Sequence, residues 1–154
     1  LKLQGPNPFI PEDLRVIVPG GKPPKPGDKI DPPTLLETLP AYAGVRHKLD
    51  NLFAQPKAVC MFQLVSPVAS ESPRTWAALH LFESCLDEYL NEYTYDAQVA
   101  GLSYNLSWNT RGLELTFRGY GDKMPEFIDK VSEAVANYTP SDAAEFERLR
   151  DVVS

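Results

Sequence analysis

No stretch of this 154-residue sequence approaches the roughly 20 consecutive apolar residues that a membrane-spanning helix requires. Nor does a charged, apolar and small-residue succession of the secretory kind open it. Positive charge is also short: 15 Lys and Arg stand against 21 Asp and Glu, a formal net charge of -6. Binding a phosphate backbone draws on clustered Lys and Arg that displace counterions, so nucleic acid is excluded as an expected partner. Cysteine is limited to Cys60 and Cys85, both in apolar surroundings and without C-x-x-C spacing, which reads as two buried free thiols. These absences exclude a membrane partner and point to a globular chain in the cytoplasm, or to an internal piece of something larger. With 43% hydrophobic residues the chain is long enough for one ordinary core and too short for two comfortable domains.

What the sequence has in excess is proline, and it is unevenly placed. Ten of the 15 prolines fall in residues 1–40. The run from Pro19 to Lys29, "PGGKPPKPGDK", lacks backbone donors or leaves its glycines unconstrained, so it reads as a loop. Composition therefore predicts an extended, proline-rich lead-in and connector over 1–44, followed by one α/β unit over 45–154. Within that unit "AVCMFQLVS" (58–66) is apolar at both alternating sets of positions. It predicts a central strand covered on both faces. After Ser72-Pro73, apolar residues at Leu79, Phe82, Leu86, Tyr89, Leu90 and Tyr93 recur at helical steps as far as Gly101, a left-handed C-cap. Strict alternation in "SYNLSWN" and "LELTFRGY", with Asn109–Gly112 between them, predicts a hairpin with Tyr104, Leu106, Trp108, Leu113, Leu115 and Phe117 inward. Asp122 is placed to cap a helix carrying Phe127, Val131, Val135 and Tyr138, and a last helix is expected from Thr139, with Pro140 in its first position. The fold class is α+β: a two-layer unit with an antiparallel sheet packed against helices, in the order strand, helix, strand, strand, helix, helix.

The stretch His80–Ser84, "HLFES", is one residue short of H-x-x-E-H, in which two histidines bind zinc and the glutamate activates water. Zinc needs at least three protein ligands. Here Ser84 replaces the second histidine, and the only other one, His47, belongs to a different segment. Trp76, His80, Glu83, Ser84, Asp87 and Asn91 all fall between the apolar positions of the long helix, so the stretch reads as a solvated helix face. No catalytic residue, metal ligand or cofactor is expected in this chain. There is no G-x-S-x-G elbow and no phosphate-binding G-x-x-x-x-G-K, and Gly119-Tyr-Gly121 is too short for a dinucleotide loop.

Four segments, taken together and in order, resemble a known family: "GPNPFIPEDL" (5–14), "KLDNLFAQPKA" (48–58), "LNEYTYDAQVAGLSYNL" (90–106) and "GLELTFRGYGDKMP" (112–125). They are similar to the middle of the pitrilysin or insulinase zinc peptidases. Arg46-His47 departs from the pattern, which has aromatic residues before the position of Lys48. The resemblance implies a large enzyme of four related α/β units that enclose a chamber for unfolded peptides. Zinc would be held by H-x-x-E-H in the first unit, and this chain would be most of the catalytically silent third. The partners implied are the other units of the same polypeptide and the peptide substrate. The rival expectation is a free-standing interaction protein that kept the fold and lost the chemistry. In the hairpin the residues alternating with the inward set are Ser103, Asn105, Ser107, Glu114, Thr116 and Arg118. Paired strands share faces, so these six are expected to form one polar patch, turned toward the peptide chamber of the parent enzyme.

Overall fold

The longest element starts where its sequence supplies a cap. In the computed structural model, which describes residues 5–16, 25, 27, 32–35, 46–48 and 55–139, helix α1 spans Pro73–Val99. The extended Ser72 accepts a hydrogen bond from the Thr75 backbone N–H, and proline fills the first helical position, where no intrahelical donor is needed. At the other end Gly101 adopts φ +86, and the Leu102 N–H returns to the Ala97 carbonyl at 2.9 Å, which stops the helix and turns the chain into the sheet.

Three strands follow the alternation of their sequences: β3, Lys57–Val65; β4, Ser103–Asn109; and β5, Gly112–Tyr120. A separate two-residue pair, β1 (Thr34–Leu35) with β2 (Arg46–His47), is antiparallel. The larger sheet is antiparallel in the order β3-β5-β4. Its inner face stacks Tyr104, Leu106 and Trp108 on β4 beside Phe117, Leu115 and Leu113 on β5, with Cys60, Phe62 and Leu64 on β3. Helix α1 and helix α2, Met124–Asn137, cover that face with Leu86, Leu90, Ala97, Phe127 and Val131. Each fully buried Leu or Phe contributes about 1.5–3 kcal/mol. The architecture is the α+β, two-layer one expected.

Three expectations are corrected. First, β3 is not central: β5 is, because both β3 and β4 pair with it, and among the described residues nothing pairs with the outer edge of β3. Its side chains from Met61 to Val65 are exposed, so among the described residues the two-sided apolar pattern is not covered on both faces. Second, Asp122 does not cap α2. The N-cap is Lys123, without a side-chain hydrogen bond. The Asp122 carboxylate instead accepts the backbone N–H groups of Glu12 (2.9 Å) and Asp13 (3.2 Å), which hold it below its ordinary acidity range.

Third, the start of the chain is more than a lead-in. The structure divides into residues 1–14 with 57–154 as one unit and 15–56 as the other, whereas composition places the boundary at about 44. Residues 5–14 form a strap. The Asn7 side chain donates to the Asp96 carbonyl at 2.7 Å and accepts from the Phe9 N–H. Phe9, 3% exposed, packs edge-on against Phe127, with the Lys130 ammonium over its other surface. The proline loop, apart from Lys25 and Gly27, and the helix expected after Thr139 lie outside the described residues.

Candidate functional site

Antiparallel register decides which side chains share the outer face of the sheet. Ser103 lies opposite Arg118, Asn105 opposite Thr116 and Ser107 opposite Glu114, so the six patch residues are brought together. They are not equally available. Ser103, Asn105 and Arg118 are exposed and Ser107 and Glu114 half-buried, while Thr116 is only 4% exposed. The reason is that Thr116 belongs to the central strand, between Asn105 on β4 and Met61 on β3.

Beside β5 the third strand adds a column that hairpin alternation alone does not reveal. Val59 lies opposite Arg118, Met61 opposite Thr116 and Gln63 opposite Glu114. The face is therefore polar on its β4 side and apolar on its β3 side. At one end Lys57 lies over the Tyr120 ring. At the other, Asn109 on β4 reaches across the central strand, at the level where Gly112 has no side chain, and donates to Gln63 Oε1 at 3.2 Å. The signal for the extra column was in the alternation of Val59, Met61 and Val65; the pairing that aligns it with Arg118 and Thr116 was not.

The near-signature HLFES is not a solvated face. His80, Glu83 and Ser84 are half-buried. His80 Nδ1 lies 3.3 Å from Glu83 Oε2, an oxygen out of reach of solvent, and the Trp76 ring meets His80 edge-on. Ser84 donates its hydroxyl backward to the His80 carbonyl at 3.1 Å. One turn on, Asp87 accepts the Tyr104 hydroxyl at 3.1 Å. This flank of α1 thus lies beside β4, from which the Tyr104 hydroxyl reaches Asp87, and it is only partly open to solvent. Among the described residues no group of three or more His, Cys, Asp or Glu side chains comes together in a way that could hold a metal ion. The residues of HLFES do not fit zinc: one histidine is turned onto its own glutamate, and the position of the second carries a hydroxyl bonded to the backbone.

Burial pushes the Glu83 carboxyl above its ordinary value of 4.5; the neighbouring His80 opposes this and Asp87 adds to it. Folded Glu83 keeps its proton at higher pH than the unfolded chain does. The folded state therefore binds more protons in the window above 4.5, and its stability falls as pH rises through that window. Glu83→Gln is expected to match or exceed the wild type in stability at about pH 7 and to flatten the slope between there and about pH 4.5. Urea unfolding across that range checks it, and identical slopes for the two proteins would count against this account of Glu83.

The whole chain, residues 1–154, matches the family model described as the middle or third domain of peptidase M16. It is 37% identical over 138 residues to insulin-degrading enzyme-like 1, peroxisomal, of Arabidopsis thaliana, covering 90% of this chain and 13% of that protein. To the human insulin-degrading enzyme it is 32% identical over 150 residues, covering 97% of this chain and 14% of that protein. The crystal structure of pitrilysin superimposes on 99% of this chain with a TM-score of 0.76 and 25% identity, using 15% of its own chain. The chain accordingly spans about one-seventh of the length of the curated relatives it matches. Departures such as Arg46-His47 notwithstanding, it belongs to the pitrilysin and insulinase family, peptidase M16, and corresponds to that family's middle domain.

Proposed function

We propose that this unit is a non-catalytic wall of a larger zinc metallopeptidase, and that the outer face of its sheet meets the peptide substrate. The observation that carries the reading is the mixed character of that face. Exposed Ser103, Asn105 and Arg118 lie alongside exposed Val59 and Met61, three strands wide and without a covering helix among the described residues. Hydroxyl, amide and guanidinium groups meet peptide backbones of any sequence, while an adjoining apolar column takes up side chains of unfolded segments. Zinc and the water it activates would be supplied elsewhere in the same polypeptide, since His80 and Glu83 are paired with each other. This chain's residues would hold and orient the peptide.

Replacing Glu114 and Arg118 together with Ala in the full-length enzyme is expected to shift KM for long peptides by roughly three- to tenfold, the equivalent of about 1 kcal/mol, with kcat little changed. Steady-state cleavage of several long and short peptides is the measurement. Unchanged KM across the set would return this face to ordinary solvent surface.

A further inference from the structure

Charge is sorted along the outer face of the sheet. Register puts Lys57 opposite Tyr120, and Arg118 between Val59 and Ser103, so both cations lie at the end of that face where β3 begins. The anion is Glu114, toward the other end, with Gln63 on one side and Ser107 on the other. It stands four residues from Arg118 along β5, about 13 Å at roughly 3.3 Å per residue. Between the two the central strand carries Thr116, uncharged and 4% exposed, flanked by Met61 and Asn105. Lys57, Arg118 and Glu114 are the only ionised side chains of this three-stranded face, which is therefore cationic in a chain of net charge -6. Among the described residues neither cation has an acidic partner: the Lys57 ammonium is 5.3 Å from the Tyr120 ring centroid, and Arg118 is exposed.

We propose that the Lys57 and Arg118 end of this face anchors an acidic side chain of an extended peptide, while Glu114 favours a basic residue four positions along. The inference rests on the reading of the outer face as the one that meets peptide, and adds to it the class of peptide selected. Charge complementarity names the occupant. An exposed guanidinium presents paired N–H donors that match a carboxylate, and the neighbouring ammonium adds a point charge. A neutral segment leaves both cations uncompensated, and a basic one meets like charge there. Spacing supplies the second half of the argument. An extended peptide advances by the same step as β5, so its side chains at i and i+4, which share one side, reach Arg118 and Glu114 together. The residue between them, at i+2, faces Thr116 with the apolar Met61 beside it.

Steady-state cleavage of a peptide series by the full-length enzyme tests it. In one long parent sequence without other charges, a single Glu is moved along the chain, and each peptide is compared with its Gln counterpart. At one position the Glu form is expected to have a KM about two- to fivefold lower, the range of an exposed ion pair. The advantage is expected to shrink in 1 M salt, where the screening length is about 3 Å. Arg118→Gln lessens it, and Lys57→Gln combined with Arg118→Gln abolishes it. Four residues from that position Lys is favoured over Glu, and Glu114→Gln removes this second preference. A flat profile overturns the proposal, as does a profile that the Lys57 and Arg118 double variant leaves intact, since the anchor then lies elsewhere. A double variant with a lowered unfolding midpoint and every KM unchanged also overturns it, by making the two cations structural. The Glu114 and Arg118 double Ala variant separates the two readings of this face. A KM shift in that variant beside a flat charge profile leaves the face an unselective platform, and no shift in either experiment sinks both readings.

Discussion

Gly112→Ala is expected to lower stability by about 3–5 kcal/mol, one of the largest effects of any single substitution in this chain. Gly112 has φ +136, a backbone region open to glycine and strained for any L side chain. An added Cβ would lie 2.1 Å from the Leu64 carbonyl oxygen and 2.8 Å from the Ser66 backbone nitrogen, both backbone atoms with no rotamer to yield. Relief requires β3 to move away from the first residue of the central strand. That loosens the end of the β3–β5 ladder and the hydrogen bond from the Ser66 N–H to the Arg111 carbonyl. Denaturant unfolding of the variant checks this, with Gly5→Ala as the control, because nothing lies within 4 Å of a Cβ at position 5. Equal midpoints for the two would refute the account of Gly112.

Phe9→Ala comes second, with an expected loss of about 3–5 kcal/mol. The ring lies 5.8 Å from Phe127, which in turn meets Phe117 at 5.8 Å, so its removal opens a cavity against the ring at the centre of the aromatic cluster. It also removes the surface on which the Lys130 ammonium rests, 4.7 Å from the ring centroid. The next residue supplies the contrast. Ile10 is 57% exposed, and Ile10→Ala is expected to change stability by less than about 0.5 kcal/mol. Thermal unfolding of the two variants side by side decides whether the strap is part of the core or a decoration of it.

Elements whose pattern is local were legible before the structure. The hairpin follows from alternation, and α1 from its cap, its apolar spacing and Gly101. Parity likewise placed Ser103, Asn105, Ser107, Glu114, Thr116 and Arg118 on one face. What could not be read were choices between distant partners. Asp122 has the right spacing for a cap, yet its oxygen accepts from Glu12 and Asp13, and no local rule ranks those donors above the N–H groups of its own helix. Glu83 and Asp87 belong to the polar set of α1, but only the packing of α1 on β4 reveals that Glu83 is half-buried and that Asp87 accepts the Tyr104 hydroxyl. Thr116 is buried because β3 pairs with β5, a contact across some 50 residues of chain that periodicity does not encode. Phe9 was hidden by its prolines, which signal a loop whether or not the loop is packed.

The strap also has a consequence for the order in which the molecule assembles. Asn7, Glu12 and Asp13 find their partners 89, 110 and 109 residues away, whereas β4 and β5 meet across a two-residue turn. Closing the long loop costs chain entropy that is recovered only once both attachment points exist, namely the end of α1 and the start of α2. Docking of the strap is therefore expected to be a late event, after the rate-limiting barrier. Interactions absent from the transition state slow unfolding without hastening folding. Removal of the Phe9 side chain is then expected to leave the refolding arm of a chevron plot in place and to raise the unfolding arm, so that the first residues of the unit govern how long it stays folded and have little bearing on how fast it forms.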